Sequence, residues 1–451
     1  MKKFTVQQAA QMTGGTVIGD AQAEITAVST DSRTIAAGSL FIPIRGERFD
    51  GHDFLQKAAE LGAAAVLSEI DIELPIAVIR VEDTRRALLQ LAGGYRDMFS
   101  IPVIGITGSV GKTTTKEMTA AVVAQNYKTL YTQGNLNNEI GMPLTLFRLE
   151  EDTQAAVIEM GMSAFGEISR MTAQAKPTIA VITNIGTAHI EYLGSREGIR
   201  DAKMEMLEGL HADGTAVLNG DEPLLWCKRN EISQKVVYFG IDNPACDVRA
   251  EDIVLGDDHV DLTICHAGGK FAVRLNTAGK HNVFNALAAA AVGLTLGLTE
   301  QQITAGLASF QDVHQTITVE NGMTIIDACY NASPDAVEAS LELLHEMNVS
   351  GRRFAVLGGM RELGDFAAAE HRRCGKKAAS CVDFLYCYGD GAEDYRDGAV
   401  EAGMPAENIY IMHSHEGIAG ALKRAARSGD ALLFKGSRYW KMEQALALFR
   451  E

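Results

Sequence analysis

Gly108, Gly111, Lys112 and Thr113 stand in the stretch Thr107-Gly108-Ser109-Val110-Gly111-Lys112-Thr113-Thr114, and their spacing suits the holding of a phosphate chain. Glycines let backbone N–H groups turn toward an anion, a lysine reaches the outer phosphates, and a threonine hydroxyl can ligate magnesium. The strict pattern G-x-x-x-x-G-K-[ST] asks for glycine at 106, where this chain has Ile106 with Gly105 one place early. The flanks supply what the pattern lacks. Val103-Ile104-Gly105-Ile106 reads as a strand and residues 112 to about 125 as a helix, whose N-terminus adds partial positive charge.

Other chemically able residues end other apolar runs. Ala155-Ala156-Val157-Ile158-Glu159 is a buried-type strand closing on a carboxylate. Residues 178–183 form a second strand that runs out through Asn184 to His189. Ligands of a parallel sheet gather beyond the carboxyl ends of its strands, so Glu159 and His189 are expected to converge on the phosphate loop. Lys203 lies in an expected helix, 196–210, and reads from periodicity as a solvated charge. After a ribbon over 247–276 with Gly268-Gly269 as its turn, Gly279-Lys280-His281-Asn282-Val283-Phe284-Asn285 opens an alanine-rich helix. His281, Asn282 and Asn285 there suit either a helix cap or the edge of a base.

Residues 1–99 alternate short strands and helices. Asp31-Ser32-Arg33 and Arg45-Gly46-Glu47 fall in loops beside the strands, where they fit a ligand or a plain surface turn. Residues 314–451 hold five further expected strands alternating with helices, the order of a doubly wound sheet. Its loops carry Tyr330-Asn331-Ala332-Ser333-Pro334, Arg361-Glu362-Leu363-Gly364 and Lys435-Gly436-Ser437-Arg438.

Composition narrows the class. The chain has 451 residues, 47% apolar and 22% charged, with a formal charge of −17. That charge and the lack of a basic, aromatic-laced cluster argue against nucleic acid as a partner. No run is long enough to span a bilayer and the first residues lack a signal-peptide core, so a cytoplasmic protein without membrane attachment is expected. Seven cysteines with no C-x-x-C pair read as reduced thiols.

Together these motifs resemble the Mur ligases, ATP-dependent amide-forming enzymes of peptidoglycan precursor synthesis, and the resemblance runs the length of the chain. Its carriers are T-G-S-V-G-K-T-T at 107–114, D-S-R at 31–33, F-I-P-I-R-G-E-R-F-D-G-H-D-F at 41–54 and G-N-L-N-N-E-I-G-M-P at 134–143. Y-N-A-S-P, R-E-L-G and K-G-S-R complete the set, and the D-N-P-R tetrapeptide of the diaminopimelate-adding relative is absent.

The resemblance implies an α/β protein of three domains. These are an N-terminal α/β domain for a UDP-sugar (1–99), a central parallel-sheet P-loop ATPase (100–313), and a C-terminal doubly wound, Rossmann-like domain (314–451). The last closes over the nucleotide and takes the incoming dipeptide. The implied substrates are ATP, UDP-N-acetylmuramoyl-tripeptide and D-Ala-D-Ala, joined through an acyl phosphate by a monomer.

By the same resemblance, residues 107–114 with His281, Asn282, Asn285 and Asn331 hold the nucleotide. Asp31, Ser32, Arg33, Arg45, Gly46, Asn137, Asn138, Lys435, Ser437 and Arg438 face the other substrates. Lys112, Glu159, His189 and Lys203 are the implied catalytic residues. Thr113, Glu159, His189 and Lys203 would serve two magnesium ions, Lys203 as a carbamate.

Three positions depart from the family pattern: Thr316 where relatives carry an arginine, Ala328 where they carry aspartate, and Gly359 in place of the aspartate of G-D-M. A ligase with another acceptor amine, or a weakened paralogue with a regulatory role, would share the remaining residues.

Overall fold

The computed structural model describes residues 1–46, 49–311 and 316–451. The Glu47 and Arg48 part of the 41–54 motif, and the expected boundary at 313, lie outside the described residues. The chain forms two compact units. The first comprises residues 1–107, 126–181 and 204–216, the second residues 108–125, 182–203 and 217–451. The strand leading to the phosphate loop therefore belongs to one unit, and the loop with its helix to the other. No helix among the described residues is long and apolar enough to cross a membrane.

In the first unit a five-stranded sheet runs Thr16–Ile18, Ala77–Arg80, Ala65–Ser68, Ser39–Phe41, Ala27–Ser29. Only the first pair is antiparallel. Short apolar runs such as Ala65-Val66-Leu67 suit parallel strands covered on both faces, and Phe41, Leu55, Val66 and Val78 make the core on one of them. The expected 38–44 strand is trimmed to Ser39–Phe41, and the expected 63–67 strand is shifted to Ala65–Ser68. Asp31 and Arg45 both follow neighbouring parallel strands, Ala27–Ser29 and Ser39–Phe41, so their loops leave the same carboxyl edge.

Helix Thr84–Arg96, capped by the Asp83 carboxylate on Arg86 N–H at 2.8 Å, buries Leu88, Leu91, Ala92 and Tyr95. Tyr95 Oη accepts the Lys2 N–H at 2.6 Å and donates to Leu149 O at 2.7 Å, tying three distant segments together. The same unit holds the parallel strands Thr129–Tyr131, Ala155–Glu159 and Val103–Thr107 and all but the last residue of Ile179–Ile182, in that order. Glu159 pairs in register with Ile106.

In the second unit helix Lys112–Val123 packs against His281–Thr295 and Glu300–Ser309. Close approach is set by small residues: a Cβ at 306 would meet Val122 Cα at 2.5 Å, and one at 293 would meet Val122 Cγ1 at 2.9 Å. Strands Val248–Leu255, Val260–His266 and Gly269–Leu275 form the expected antiparallel ribbon. Its last turn is Ala267-Gly268, one residue earlier than expected, with Gly269 already in the strand.

The C-terminal sheet runs Thr316–Glu320, Met323–Ala328, Ala431–Lys435, Arg353–Gly358, Phe384–Tyr388, Ile409–Met412. All pairs are parallel except the first. The chain steps outward through three strand–helix units and then returns to place Ala431–Lys435 near the middle. The returning helices, His415–Ala425 and Met442–Arg450, cover one face around Phe354, Val356, Leu432 and Phe434. This is the doubly wound arrangement expected, with one additional edge strand, Thr316–Glu320.

Replacing Tyr95 by Phe strands Leu149 O and the Lys2 N–H in a half-buried place. We expect Tyr95→Phe to lower the urea stability of the unit that contains it by about 1–3 kcal/mol, with an unchanged far-UV spectrum.

Candidate active site

The loop after Thr107 is seated on the segment that follows strand Ile179–Ile182. Ser109 and Val110 donate their N–H groups to Asn184 Oδ1 at 3.1 and 3.0 Å. Thr183 Oγ1 donates to Val110 O at 2.8 Å and Gly186 N–H to Ser109 Oγ at 2.8 Å. Two positions require glycine. Gly108 has φ +156° and a Cβ there would fall on Thr183 Oγ1; Gly111 has φ +75° and its Cβ would meet Asn285 Oδ1 at 2.6 Å.

Helix Lys112–Val123 starts directly after this glycine, with no side-chain cap on its first N–H groups. Lys112 Nζ folds back over the loop, donating to Gly108 O at 2.7 Å and Ser109 O at 3.2 Å. A loop of this shape, an uncapped helix start and a lysine at its lip suit a polyphosphate.

The loop opens on a cavity of about 490 Å³. Residues 109–114 line it, with His281, Phe284 and Asn285 on one wall and Tyr330, Asn331, Asp335 and Lys435 on another. Of the residues expected at the nucleotide, Asn282 stands behind this wall. It is fully buried, and its Nδ2 donates to Thr277 Oγ1 at 3.1 Å and Ala278 O at 2.8 Å. Its Oδ1 accepts from Asn285 Nδ2 at 2.9 Å, while Asn285 Oδ1 accepts from Thr115 Oγ1 at 3.0 Å. Asn282 thus positions Asn285, which reaches the cavity. Thr107, Ser437 and Arg438 are not among the lining residues. Lys435 is nearly buried, and burial brings its pKa down to about 8.

Lys203 overturns its surface reading. Only 2% of it is exposed, because the buried face of helix Arg196–Met204 is Ile199, Ala202 and Lys203. Burial first, and the nearby positive charge of Lys112 second, hold its pKa well below the ordinary 10.5. That direction favours a neutral amine, or an amine converted to an anion, over an ammonium in this place.

His189 precedes the short helix Ile190–Leu193 with φ +65°. Its Nδ1 stands 2.5 Å from Glu362 Oε2, a contact that holds the Glu362 carboxyl below its usual range against the opposing effect of partial burial.

In the first unit, Glu159 and Asn137 meet: Asn137 Nδ2 donates to Glu159 Oε1 at 2.7 Å, and Glu159 Oε2 is buried with no hydrogen-bond partner among the described residues. An orphaned, buried carboxylate oxygen of this kind fits a hard cation. Asn138 serves its own backbone, its Oδ1 accepting from Ile140 and Gly141 N–H at 3.1 and 2.8 Å. Arg33 is turned onto Asp31, Nη2 to Oδ2 at 2.6 Å, and this contact lowers the Asp31 pKa to about 2. Ser32 lies between them in the same turn. Arg45 reaches Asp50 and Glu69 at 2.9 and 3.0 Å, with Gly46 beside it.

No group of three or more His, Cys, Asp or Glu side chains able to hold a metal exists among the described residues. Magnesium does not require one, since it keeps waters and binds through one or two protein oxygens plus phosphates.

Three residues of the site carried no role in the sequence reading. Asn184 holds the loop amides, Asp335 accepts the Thr187 N–H at 2.8 Å, and Glu362 meets His189. Of the family departures, Gly359 has a steric cause: a Cβ there would fall on Asp390 O, so this backbone excludes aspartate. Ala328 lines the cavity, and Thr316 pairs with Asp327 on the edge strand. Nothing in the structure explains the residue at either of these two positions.

Family profiles described as Mur ligase middle domain, Mur ligase glutamate ligase domain, and Mur ligase family catalytic domain match residues 106–293, 314–438 and 24–96. The chain is 39% identical to the UDP-N-acetylmuramoyl-tripeptide–D-alanyl-D-alanine ligase of Bacillus subtilis, covering 98% of each chain. It is 37% identical to the ligase of the same name from Escherichia coli, over 100% of this chain and 99% of that one. A crystal structure of MurF from Acinetobacter baumannii superposes with TM-score 0.93 at 32% identity, over 100% and 99% of the chains. MurF ligase from Thermotoga maritima, in complex with ADP, superposes with TM-score 0.85 at 30% identity, over 94% and 97%.

The depressed pKa of Lys203 has a pH signature. Between its folded pKa and the ordinary 10.5, the unfolded chain binds a proton that the folded chain does not, so stability rises with pH through that window. In carbonate-free buffer, the urea stability of the native chain relative to Lys203→Met should increase from about pH 8 toward about pH 10. A flat difference would show that Lys203 is not a neutral amine.

Proposed function

This chain belongs to the Mur ligase family, and we propose that it joins D-Ala-D-Ala to UDP-N-acetylmuramoyl-tripeptide at the expense of ATP, completing a peptidoglycan precursor. The observation that carries the reading is the glycine-shaped loop closed by Lys112, opening on a cavity whose far wall holds Asn331 and Lys435. The full-length likeness to ligases of that name supports the choice of substrates.

In this reading the tripeptide's terminal carboxylate attacks the γ-phosphorus of ATP. ADP leaves, and an acyl phosphate forms. The amine of D-Ala-D-Ala then attacks the carbonyl carbon, inorganic phosphate departs with the C–O bonding pair, and the ammonium proton passes to solvent. Phosphoryl transfer asks for alignment and charge neutralisation more than for covalent help. The amides of residues 111–114 and Lys112 hold the β- and γ-phosphates, with Lys112 leaving its carbonyls for the phosphate oxygens. His281, Phe284 and Asn285 bound the nucleotide's other end, and Asn331 faces it across the cavity.

Magnesium, when bound, offsets the phosphate charge. Thr113, His189 and Lys203 are the side chains of the second unit that we assign to it; Glu159, in the first, is assigned by itself to a hard cation. A carbamate on Lys203 would supply an anionic oxygen ligand and remove the repulsion from Lys112. Asp31, Ser32, Arg33, Arg45 and Gly46 are assigned to the UDP-sugar, and Asn137 and Asn138 to its peptide. Lys435, Ser437 and Arg438 are assigned to the dipeptide.

The direct test is ADP release with UDP-N-acetylmuramoyl-tripeptide and D-Ala-D-Ala, beside single amino acids as alternative amines. Release that requires D-Ala-D-Ala supports the reading, and equal or faster release with another amine overturns it. Lys112→Ala should lower turnover on the order of 100-fold or more while the circular dichroism spectrum is unchanged. Lys203→Ala should be nearly inactive, and millimolar short carboxylates should restore part of its activity; failure of both would return Lys203 to a packing role.

A further inference from the structure

Residues 184–189 leave strand Ile179–Ile182 and carry His189 at their end, and two carboxylates grip them. Asp335, in the first turn of helix Pro334–Glu346, accepts the Thr187 N–H at 2.8 Å. Its Oδ2 occupies the place a Cβ at residue 186 would take, so Gly186 is required. Arg373 anchors this acid from the neighbouring helix, with Nη2 3.1 Å from Asp335 Oδ1. The backbone leading into His189 is thereby fixed.

The second acid meets the ring. Glu362 Oε2 stands 2.5 Å from His189 Nδ1, an ion-pair contact rather than a hydrogen bond of ordinary geometry, and that buried nitrogen has no hydrogen-bond partner among the described residues. Both partners have left-handed backbones, φ +65° at His189 and +63° at Glu362. Non-glycine residues persist there only where surrounding contacts hold them, and such residues cluster at functional sites. The turn bearing Glu362 is held in its own right. Met360 N–H donates to His371 Nε2 at 3.0 Å, His371 Nδ1 meets Ala367 O at 2.6 Å, and Tyr395 Oη donates to Gly358 O at 3.3 Å.

We propose that Glu362 and Asp335 are positioning residues for His189. Asp335 fixes the loop backbone, and Glu362 accepts the Nδ1 proton, so the imidazole is locked in the tautomer whose Nε2 lone pair is free to meet a cation. Free histidine favours the opposite tautomer, and an acceptor on the far nitrogen is the usual device for reversing that preference and aiming the ring. The purpose of the clamp rests on the ligase reading above; its geometry does not.

The test uses the full chain with Glu362→Gln, Glu362→Ala, Asp335→Asn, His189→Ala and the Glu362→Ala/His189→Ala double variant. In the imidazole nitrogen spectrum of histidine-labelled protein above neutral pH, native His189 should carry its proton on Nδ1, and Glu362→Ala should lose that signature. Glu362→Gln keeps an acceptor and should retain most of it. Turnover should fall about ten- to hundredfold in Glu362→Ala, with KM for D-Ala-D-Ala unchanged and Gln close to native. The gain in ADP affinity on adding magnesium, read by calorimetry, should shrink in Glu362→Ala and Asp335→Asn. The double variant should be no slower than His189→Ala alone.

An Nε2-protonated His189 in the native chain, native turnover in Glu362→Ala, or additive losses in the double variant would overturn the proposal. Should Asp335→Asn fail to fold, the Glu362 pair still decides. Absence of ADP release by the native chain would sink the ligase reading alone, because the nitrogen spectrum judges the clamp independently.

Discussion

Lys112 has to be positive to hold phosphate, and Lys203 is buried close enough to feel that charge. Two ammonium groups in one desolvated neighbourhood repel strongly, and burial weakens the solvent screening that would tolerate them. One must change its state. Lys112 lies at the lip of the cavity, folded over the loop carbonyls; Lys203 is enclosed, and burial together with the charge of Lys112 holds its pKa well below the ordinary value. The surrounding architecture serves this assignment. Helix Arg196–Met204 carries Lys203 inward, and the 183–186 segment fixes the loop that carries Lys112.

What the sequence made legible follows from how local each signal is. The phosphate loop combines glycine torsions, a strand before and a helix after, all within about twenty residues, so it could be read despite Ile106. The strand ends at Glu159 and the run-out to His189 were legible for the same reason. Periodicity alone makes Lys203 a solvated charge, although a contrary signal is present. Ile199, Ala202, Lys203 and Met206 fall on one helical stripe, and a lysine on an apolar stripe points inward unless its stem lets it escape.

The edge strand Thr316–Glu320 was missed in the same way. Asn321-Gly322, both with positive φ, make the two-residue turn that joins tightly paired antiparallel strands, and alternation on either side was there to be read. Asn184, Asp335 and Glu362 were out of reach. Each acts on a partner far away in sequence, and only the folded chain brings them together. Asn282 illustrates the converse: its residue type suits a base edge, yet burial turns it to hold Asn285.

The division of the chain into interleaved segments bears on its synthesis. The five-stranded sheet is complete within the first 80 residues and can close as soon as they leave the ribosome. Strand Val103–Thr107 has no such neighbour in hand. Its partners, Ala155–Glu159 and Ile179–Ile182, arrive roughly fifty and seventy-five residues later, several seconds at the usual about 5–20 residues per second. During that wait the apolar strand that leads to the phosphate loop is an unpaired edge, the kind of segment that recruits foreign strands. The order of emergence leaves this short run exposed on the nascent chain, a natural place for a chaperone to bind.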